Sequence, residues 1–137
     1  MSDKSFDLEI VTPQKSFFSG AVDSFSAPGT AGGFQVLHDH APLLTTIAVG
    51  EVKFQDDSDK ESICSTSGGF VEVSNNVVRF LAETIEPKEE IDVARAKRSK
   101  ERAEERLSKN EPGTDLKRAR SSLARALNRL RVAGSIE

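Results

Sequence analysis

Cysteine and the larger aromatic residues are scarce in this 137-residue chain, which has one Cys, no Trp and no Tyr. The single cysteine, Cys64, excludes an internal disulfide framework and favours a reducing compartment. No apolar run approaches the ~20 residues that a membrane-spanning helix needs. Residues 1–5 lack the apolar core of a secretory signal, so we expect the protein not to be secreted. The length suits one domain, or one domain with an appendage.

The charge of the chain is divided between two segments of opposite sign. Residues 1–87 contain 5 Lys/Arg and 13 Asp/Glu, whereas residues 88–137 contain 14 Lys/Arg and 9 Asp/Glu. The small net charge of −3 therefore hides an acidic segment and a basic one. This asymmetry predicts a boundary between residues 87 and 88 and a tail that binds something anionic.

The acidic segment has the pattern of β-strands. Residues 6–11 and 78–82 alternate apolar and polar side chains, which is the period of a half-buried strand. Further short apolar runs occupy residues 18–27, 34–37, 43–49, 52–55, 63–67 and 71–73. Turn formers that separate these runs occur at residues 28–29, 32–33, 56–59, 68–69 and 75–76. Short strands with frequent turns predict a sandwich or barrel rather than a parallel sheet.

The basic segment has the composition of helices. Residues 91–109 lack Gly and Pro and are rich in Ala, Arg, Glu and Lys, which favour helix. Pro112 and Gly113 break this helix, and a second is expected over about residues 114–132, with Thr114 or Asp115 as its N-cap. Gly134 is expected to end it. Two helices joined by a short turn predict an antiparallel hairpin.

The hairpin should be only marginally stable alone. We expect the apolar stripe of the second helix to be Leu116, Leu123, Leu127 and Leu130, with Ala119 and Ala126 beside it. The first helix has a thinner stripe of Ala96, Ala103 and Leu107. Since a buried alanine contributes much less than the roughly 1.5–3 kcal/mol of a buried leucine, the hairpin needs support and could exchange between docked and undocked states.

Several motifs that suggest chemistry are better explained as turns or loops. The Gly-rich residues 29–33 are not followed by the Gly-Lys-Ser/Thr of a phosphate loop. His38-Asp39-His40 has no nearby residues to complete a tetrahedral metal site, so we expect no metal. Residues 67–69 lack the full frame of a nucleophile elbow, and no catalytic arrangement is credible. We therefore expect no enzymatic activity.

The arginines of the tail allow two interpretations. Arg95 and Arg102 share a face of the first helix, and Arg118, Arg125 and Arg129 share a face of the second, opposite the leucine stripe. The simpler interpretation is a solvated basic face with pairs worth about 0.2–0.5 kcal/mol each. The alternative is an anion site, because guanidinium groups match phosphate oxygens in a bidentate manner.

The whole chain resembles the epsilon subunit of bacterial F-type ATP synthase. The resemblance is based on an acidic β-rich segment followed by a basic hairpin, and on four sequence blocks. These blocks are FQVLHDHAPLL (residues 34–44), SGGFVEV (67–73), IDVARA (91–96) and LNRLRV (127–132). The resemblance implies an α+β fold in which an antiparallel β-sandwich at residues 1–87 precedes an antiparallel two-helix hairpin at residues 88–137.

The resemblance also implies a non-catalytic rotor subunit that couples proton or sodium-ion translocation to ATP synthesis. In the family, the sandwich binds the gamma subunit and touches the ring of c subunits. The hairpin can extend into the alpha/beta catalytic hexamer and inhibit ATP hydrolysis. The implied location is peripheral, within the complex at the cytoplasmic face of the inner membrane. The residues that would face the c ring are Gly33, His38, Asp39, His40, Ala41 and Pro42; Gly33 stands where some members carry an acidic residue.

Some family members bind ATP on the folded hairpin through an Ile-Asp-x-x-Arg-Ala motif. The resemblance implies that Asp92 or Glu86 would accept hydrogen bonds from the base or orient an arginine. The arginines that would neutralise the phosphates are Arg95, Arg118, Arg125 and Arg129. ATP would favour the folded, non-inhibitory state as a regulatory ligand, and no other cofactor is required. Pro87 could redirect the neighbouring carboxylate, and Pro112-Gly113 could give the hairpin turn its own geometry. The ligands implied are Ile91, Asp92, Arg95 and Ala96 of the motif, together with Glu86, Arg102, Arg118, Arg125 and Arg129.

Two other functions are compatible with a basic hairpin. One is a polyanion- or nucleic-acid-binding module, which the acidic first segment and the nine acids of the tail disfavour by repelling a phosphate backbone. The other is a passive assembly protein whose tail is inert. We therefore expect no nucleic acid among the partners.

Overall fold

The computed structural model describes residues 4–136. The chain forms two compact units, one ending at Pro87 and the other beginning at Lys88. Nowhere within residues 4–136 is there a helix both long and apolar enough to cross a bilayer.

The first unit is a β-sandwich of seven strands. Most neighbouring strands are antiparallel, but β1 pairs with β7 in parallel and with β2 in antiparallel fashion. The sequence predicted an antiparallel sandwich without this parallel pair. The pair joins strands from opposite ends of the unit, and local sequence patterns do not show which distant strands become neighbours. The strands are β1 (Phe6–Val11), β2 (Ser16–Gly29), β3 (Gly32–Val36), β4 (Leu43–Ile47), β5 (Gly50–Asp56), β6 (Glu61–Ser74) and β7 (Val77–Pro87).

The core of this unit comes from the inward positions of the alternating strands. Leu8 and Ile10 of β1 are buried, whereas Asp7 and Glu9 between them are exposed. The rings of Phe25 and Phe80 meet edge to face with centroids 6.2 Å apart, a geometry that aromatic pairs favour. The fold class predicted from the sequence is confirmed, with the strand pairing described above as its one refinement.

Three of the predicted turns are wrong. Gly68 and Gly69 lie inside β6 and form a β-bulge opposite β7, with φ angles of 127° and 148°. A side chain at Gly69 would collide with the carbonyl oxygen of Leu81, so glycine allows β6 and β7 to approach closely at this position. Similarly, β2 continues to Gly29 and β3 begins at Gly32, which leaves only residues 30–31 for the turn.

The second unit contains α1 (Val93–Lys109) and α2 (Leu116–Val132), preceded by a 3₁₀ turn at Lys88–Glu90. Asn110 caps α1 in the left-handed conformation, and Gly134 follows α2 with a φ of 83°. The N–H groups of Gly134 and Ser135 donate to the carbonyls of Arg131 and Leu130, which is a Schellman cap. The predicted hairpin is therefore confirmed, with Asp115 rather than Thr114 as the N-cap of α2.

Alanines, rather than leucines, occupy most of the buried stripe of the hairpin. Of the predicted leucine stripe only Leu130 is buried, and Leu116, Leu123 and Leu127 are half-buried. Small side chains allow two helix axes to approach closely, so that leucines lie at the sides of the contact. The buried alanines are Ala96 and Ala103 on α1 and Ala119 and Ala126 on α2.

Candidate functional site

The two helices of the hairpin repeat one sequence pattern. Asp-x-x-Arg-Ala-x-x-Ser-x-x-Arg-Ala-x-x-Arg occurs at residues 92–106 and again, 23 residues later, at residues 115–129. Neither the apolar stripes nor the arginine spacing indicated this repeat, although alignment of the tail with itself reveals it. Each helix of the hairpin therefore presents the same polar groups at equivalent places.

Each repeat begins with an aspartate that caps its helix. Asp92 Oδ1 accepts a hydrogen bond from the backbone N–H of Arg95 at 3.0 Å. Asp115 Oδ1 accepts from the N–H of Arg118, also at 3.0 Å. A carboxylate at a helix N-terminus satisfies an otherwise unpaired donor and interacts favourably with the helix dipole. In this structure Asp92 thus contacts the backbone of Arg95, not its guanidinium group.

The middle and end of both repeats line one cavity of about 230 Å³ on the hairpin. Three of the predicted ATP ligands, Arg102, Arg125 and Arg129, come together in it. Two half-buried serines and the exposed Arg106 were not anticipated from the sequence. We call this cavity the arginine groove; its lining residues are Ser99, Arg102, Ala103, Arg106, Ser122, Arg125 and Arg129.

Serine hydroxyls bind two of the guanidinium groups in the groove. Arg102 Nη2 donates to Ser99 Oγ at 3.4 Å, and Arg125 Nη2 donates to Ser122 Oγ at 3.2 Å. The described residues that line the groove include four arginines and no carboxylate. Guanidinium forks bind phosphate oxygens in pairs, so the groove is suited to a phosphorylated ligand.

The remaining predicted ligands lie outside the arginine groove. Arg118 lines a neighbouring cavity of about 370 Å³ close to the helix turn, which also includes Arg106 and Thr114. Ile91 is buried at the start of the second unit. Glu86 belongs to β7 of the first unit, opposite Ser65 on β6.

The motif residues Arg95 and Ala96 are also outside the groove. Ala96 is buried, and its N–H donates to the carbonyl oxygen of Asp92 at 3.0 Å. Arg95 is exposed one turn before Ser99. The structure therefore gathers only part of the predicted ligand set, and the roles assigned to the other residues stay predictions.

The loop between β3 and β4 contains most of the residues predicted to face the c ring. The N–H of Asp39 donates to Asn76 Oδ1 at 2.9 Å, which ties the loop to the β6–β7 turn. His38 Nδ1 lies 3.4 Å from Asp39 Oδ2, and His40 Nδ1 lies 2.7 Å from the carbonyl oxygen of Ala41. Pro42 follows, immediately before β4. Gly33 lies apart from the loop, in β3.

The outer face of the sandwich carries an apolar row in which Leu81 is exposed and Val11 and Phe70 are half-buried. Leu81 on β7 is 53% exposed and lies in register with Phe70 on β6 and Val11 on β1. We call Val11, Leu81 and Phe70 the outer apolar row. Leu44 on the adjacent β4 is 63% exposed. Exposed apolar side chains in one contiguous patch are typical of a protein interface.

A charged row lies directly beside the outer apolar row. Arg79 is 3.9 Å from Glu9 on β1 and 3.7 Å from Glu72 on β6. These ion pairs are exposed and each contributes at most about 1 kcal/mol to stability. The apolar row bordered by paired charges thus has the composition of an interface core with a polar rim.

Comparisons with known proteins agree along nearly the whole chain. A family described as the beta-sandwich domain of the ATP synthase delta/epsilon chain matches residues 5–88, and its long alpha-helix domain matches residues 89–134. The ATP synthase epsilon chain of Nitratidesulfovibrio vulgaris strain DP4 is 44% identical over 133 residues, covering 97% of this chain and 98% of that protein. The corresponding chain of Pelotomaculum thermopropionicum is 49% identical over 134 residues, covering 98% and 99%.

A solved structure shares the fold at low sequence identity. A chain of the Euglena gracilis mitochondrial ATP synthase, in an assembly of OSCP, F1 and c-ring, superposes with a TM-score of 0.79 at 20% identity. The match covers 88% of the present chain and 76% of the Euglena chain. A likeness at this identity shows the fold alone.

Proposed function

The chain belongs to the ATP synthase delta/epsilon family as an epsilon chain of the central stalk, and we propose that its hairpin regulates ATP hydrolysis in response to ATP. The subunit would have no catalytic residues of its own. It would work as part of the rotor, peripheral to the membrane at the cytoplasmic face, while the complex couples ion translocation to ATP synthesis.

The arginine groove is the observation that supports ATP as the regulatory ligand. It gathers Arg102, Arg125 and Arg129, three of the residues at which related subunits are expected to bind ATP. A single groove shared by both helices gives a ligand contacts that exist only while the helices are paired. ATP would therefore stabilise the folded hairpin by its difference in affinity for the folded and extended states, and by no more than that difference. An exposed site of this kind suggests a Kd in the micromolar to millimolar range, roughly −8 to −4 kcal/mol.

In the extended state, the hairpin would contact the alpha/beta hexamer and inhibit hydrolysis. The net positive charge of residues 88–137 favours an acidic surface on a catalytic subunit. The buried alanine stripe contributes less apolar area than a leucine stripe would, so the paired helices can separate at modest cost. Low ATP would thus favour extension and inhibition.

The sandwich would hold the subunit in the rotor. We propose that the outer apolar row docks on the gamma subunit, since an apolar patch with a charged border is typical of a surface that binds another protein. The loop at residues 38–42 would face the c ring. Its attachment to Asn76 keeps the exposed His38 and Asp39 in a defined position for polar contacts.

Calorimetric titration of the full chain with ATP tests the ligand assignment. We expect saturable binding by the wild-type chain and a loss of at least tenfold in affinity for Arg125→Ala, because that guanidinium lies in the groove. Arg120→Ala is the matched control, since Arg120 is an exposed arginine on the same helix and does not line the groove. Absence of ATP binding by the wild-type chain would reject ATP as the regulatory ligand.

A further inference from the structure

We infer that Asn76 is a positioning residue that ties the loop at residues 37–42 to the segment before β1 and holds this loop in its binding conformation. The role rests on the proposed function, because the contact that it supports is that of the loop with the c ring. It adds Ser5 and the turn between β6 and β7 to the parts of the sandwich on which this contact depends.

Asn76 occupies the second place of a two-residue turn between β6 and β7. Ser74 and Val77 pair across the turn, and Asn75 and Asn76 have φ angles of 52° and 61°. Positive φ at both central residues is the requirement of a type I′ turn, for which Asn-Gly is a preferred pair. The backbone would therefore accept glycine at position 76, so the turn by itself gives no reason for a side chain there.

The side chain of Asn76 connects two segments that are distant in the sequence. Its Oδ1 accepts a hydrogen bond from the N–H of Asp39 at 2.9 Å, and its Nδ2 donates to the carbonyl oxygen of Ser5 at 3.1 Å. Its backbone carbonyl oxygen also accepts from the N–H of Asp7 at 3.2 Å. The side-chain contacts require an amide, because one end must accept and the other must donate. An aspartate could make the first of these two bonds but not the second.

The bond to Asn76 fixes the direction of a loop that otherwise closes on itself. The N–H of His40 donates to the carbonyl oxygen of Leu37 at 3.2 Å, and His40 Nδ1 lies 2.7 Å from the carbonyl oxygen of Ala41. These contacts shape the loop internally and leave its orientation on the sandwich open. Asp39, which has a φ of 59°, is the point at which the loop is tied to the β6–β7 turn.

Exposed groups on both sides of this tie depend on it for their position. Leu37 is 52% exposed, and His38 and Asp39 follow it as exposed polar residues. A loop that is already held in one conformation loses less entropy when it binds a partner. Loss of the Asn76 side chain should therefore weaken binding through the loop, although every group of the loop itself is retained.

Hydrogen exchange of single amides in the full chain, followed by NMR, tests whether Asn76 positions the loop. Asn76→Gly keeps the turn and removes both side-chain bonds, so the Asp39 amide should exchange about three- to tenfold faster than in the wild type. Asn75→Gly is the matched control, because Asn75 also has a positive φ and its side chain is exposed. Asn76→Asp keeps the acceptor and should restore most of the protection at Asp39. Wild-type exchange at Asp39 in Asn76→Gly would overturn the positioning role.

Affinity for a complex of gamma subunit and c ring, prepared without this subunit, measures the effect on the proposed contact. Asn76→Gly should weaken binding about three- to tenfold, and Asn76→Asp should recover most of the loss. Asn75→Gly should bind like the wild type. His38→Ala probes the contact independently, since it removes an exposed side chain of the loop and leaves Asn76 in place.

The two measurements separate the role of Asn76 from the contact with the c ring. If His38→Ala weakens binding and Asn76→Gly does not, the role of Asn76 is overturned while the proposed contact stands. If Asn76→Gly accelerates exchange at Asp39 and neither variant weakens binding, Asn76 positions the loop but the contact of the loop with the c ring is rejected.

Discussion

Removal of the N-cap of α2 should shift the hairpin towards its unpaired state. In Asp115→Ala, the backbone N–H of Arg118 loses its acceptor, which lies 3.0 Å away in the native chain. Replacing an N-cap aspartate by alanine costs about 1 kcal/mol, and loss of the charge near the helix dipole adds about 0.4 kcal/mol. The total of about 1.4 kcal/mol corresponds to a tenfold change in the folding equilibrium of the helix.

Hydrogen exchange of backbone amides measures this shift directly. In the full chain, amides in the first two turns of α2 should exchange about tenfold faster in Asp115→Ala than in the wild type. Amides of β6 and β7 should keep their rates, because they belong to the other compact unit.

Asp115→Asn is the matched control for the capping hydrogen bond. Asparagine caps helices about as well as aspartate but carries no charge, so it should show only a small acceleration. Unchanged exchange in Asp115→Ala would refute the capping argument. Equal acceleration in Asp115→Asn and Asp115→Ala would mean that charge, rather than the hydrogen bond, stabilises the helix start.

Three further predictions concern the sandwich and the alternative function. Gly69→Ala should lower the free energy of unfolding by at least about 2 kcal/mol more than Gly32→Ala in denaturant titrations, because both residues have positive φ but only Gly69 faces a backbone collision. Leu81→Asp should leave stability within about 0.5 kcal/mol yet reduce co-purification with the gamma subunit, and undiminished co-purification would reject the outer apolar row as the docking face. Duplex DNA should give no gel shift at physiological salt, whereas a salt-sensitive shift would favour the nucleic-acid module.

Local patterns predicted the elements of this chain well. Alternation in residues 6–11 and 78–82 placed two strands, because one face of each is buried in the core. Asp115, one of two N-caps considered, and Gly134 marked the ends of α2, since cap chemistry depends on the few residues around a helix terminus. Periodicity alone left the first unit open between a sandwich and a barrel, and the block resemblance then indicated a sandwich.

Features that depend on contacts between distant segments were missed. Gly68 and Gly69 have the composition of a turn, and only the partner strand β7 makes them a bulge. The helical wheel predicted a buried stripe of leucines with alanines beside it. In the structure the alanines lie at the centre of the helix contact, because small side chains allow the helices to pack closely.

The residues of the candidate site were predicted only in part, because the site also depends on contacts between distant segments. Arg102, Arg125 and Arg129 share a groove, whereas Arg118 lies beside the helix turn, and their role in binding ATP stays a prediction. Helical spacing gives the face of a residue but not its height relative to a partner helix. Ser99 and Ser122 were overlooked because serine in a helix carries little signal by itself.

Hydrolysis by the assembled complex shows whether the hairpin regulates the ATPase. ATPase rates should be compared between complexes that contain the full chain and complexes in which residues 88–137 are deleted, over a range of ATP concentrations and with incorporation verified. The deletion should raise hydrolysis, most strongly at low ATP, because the extended hairpin is then most populated. Equal rates at every ATP concentration would contradict regulation by the hairpin.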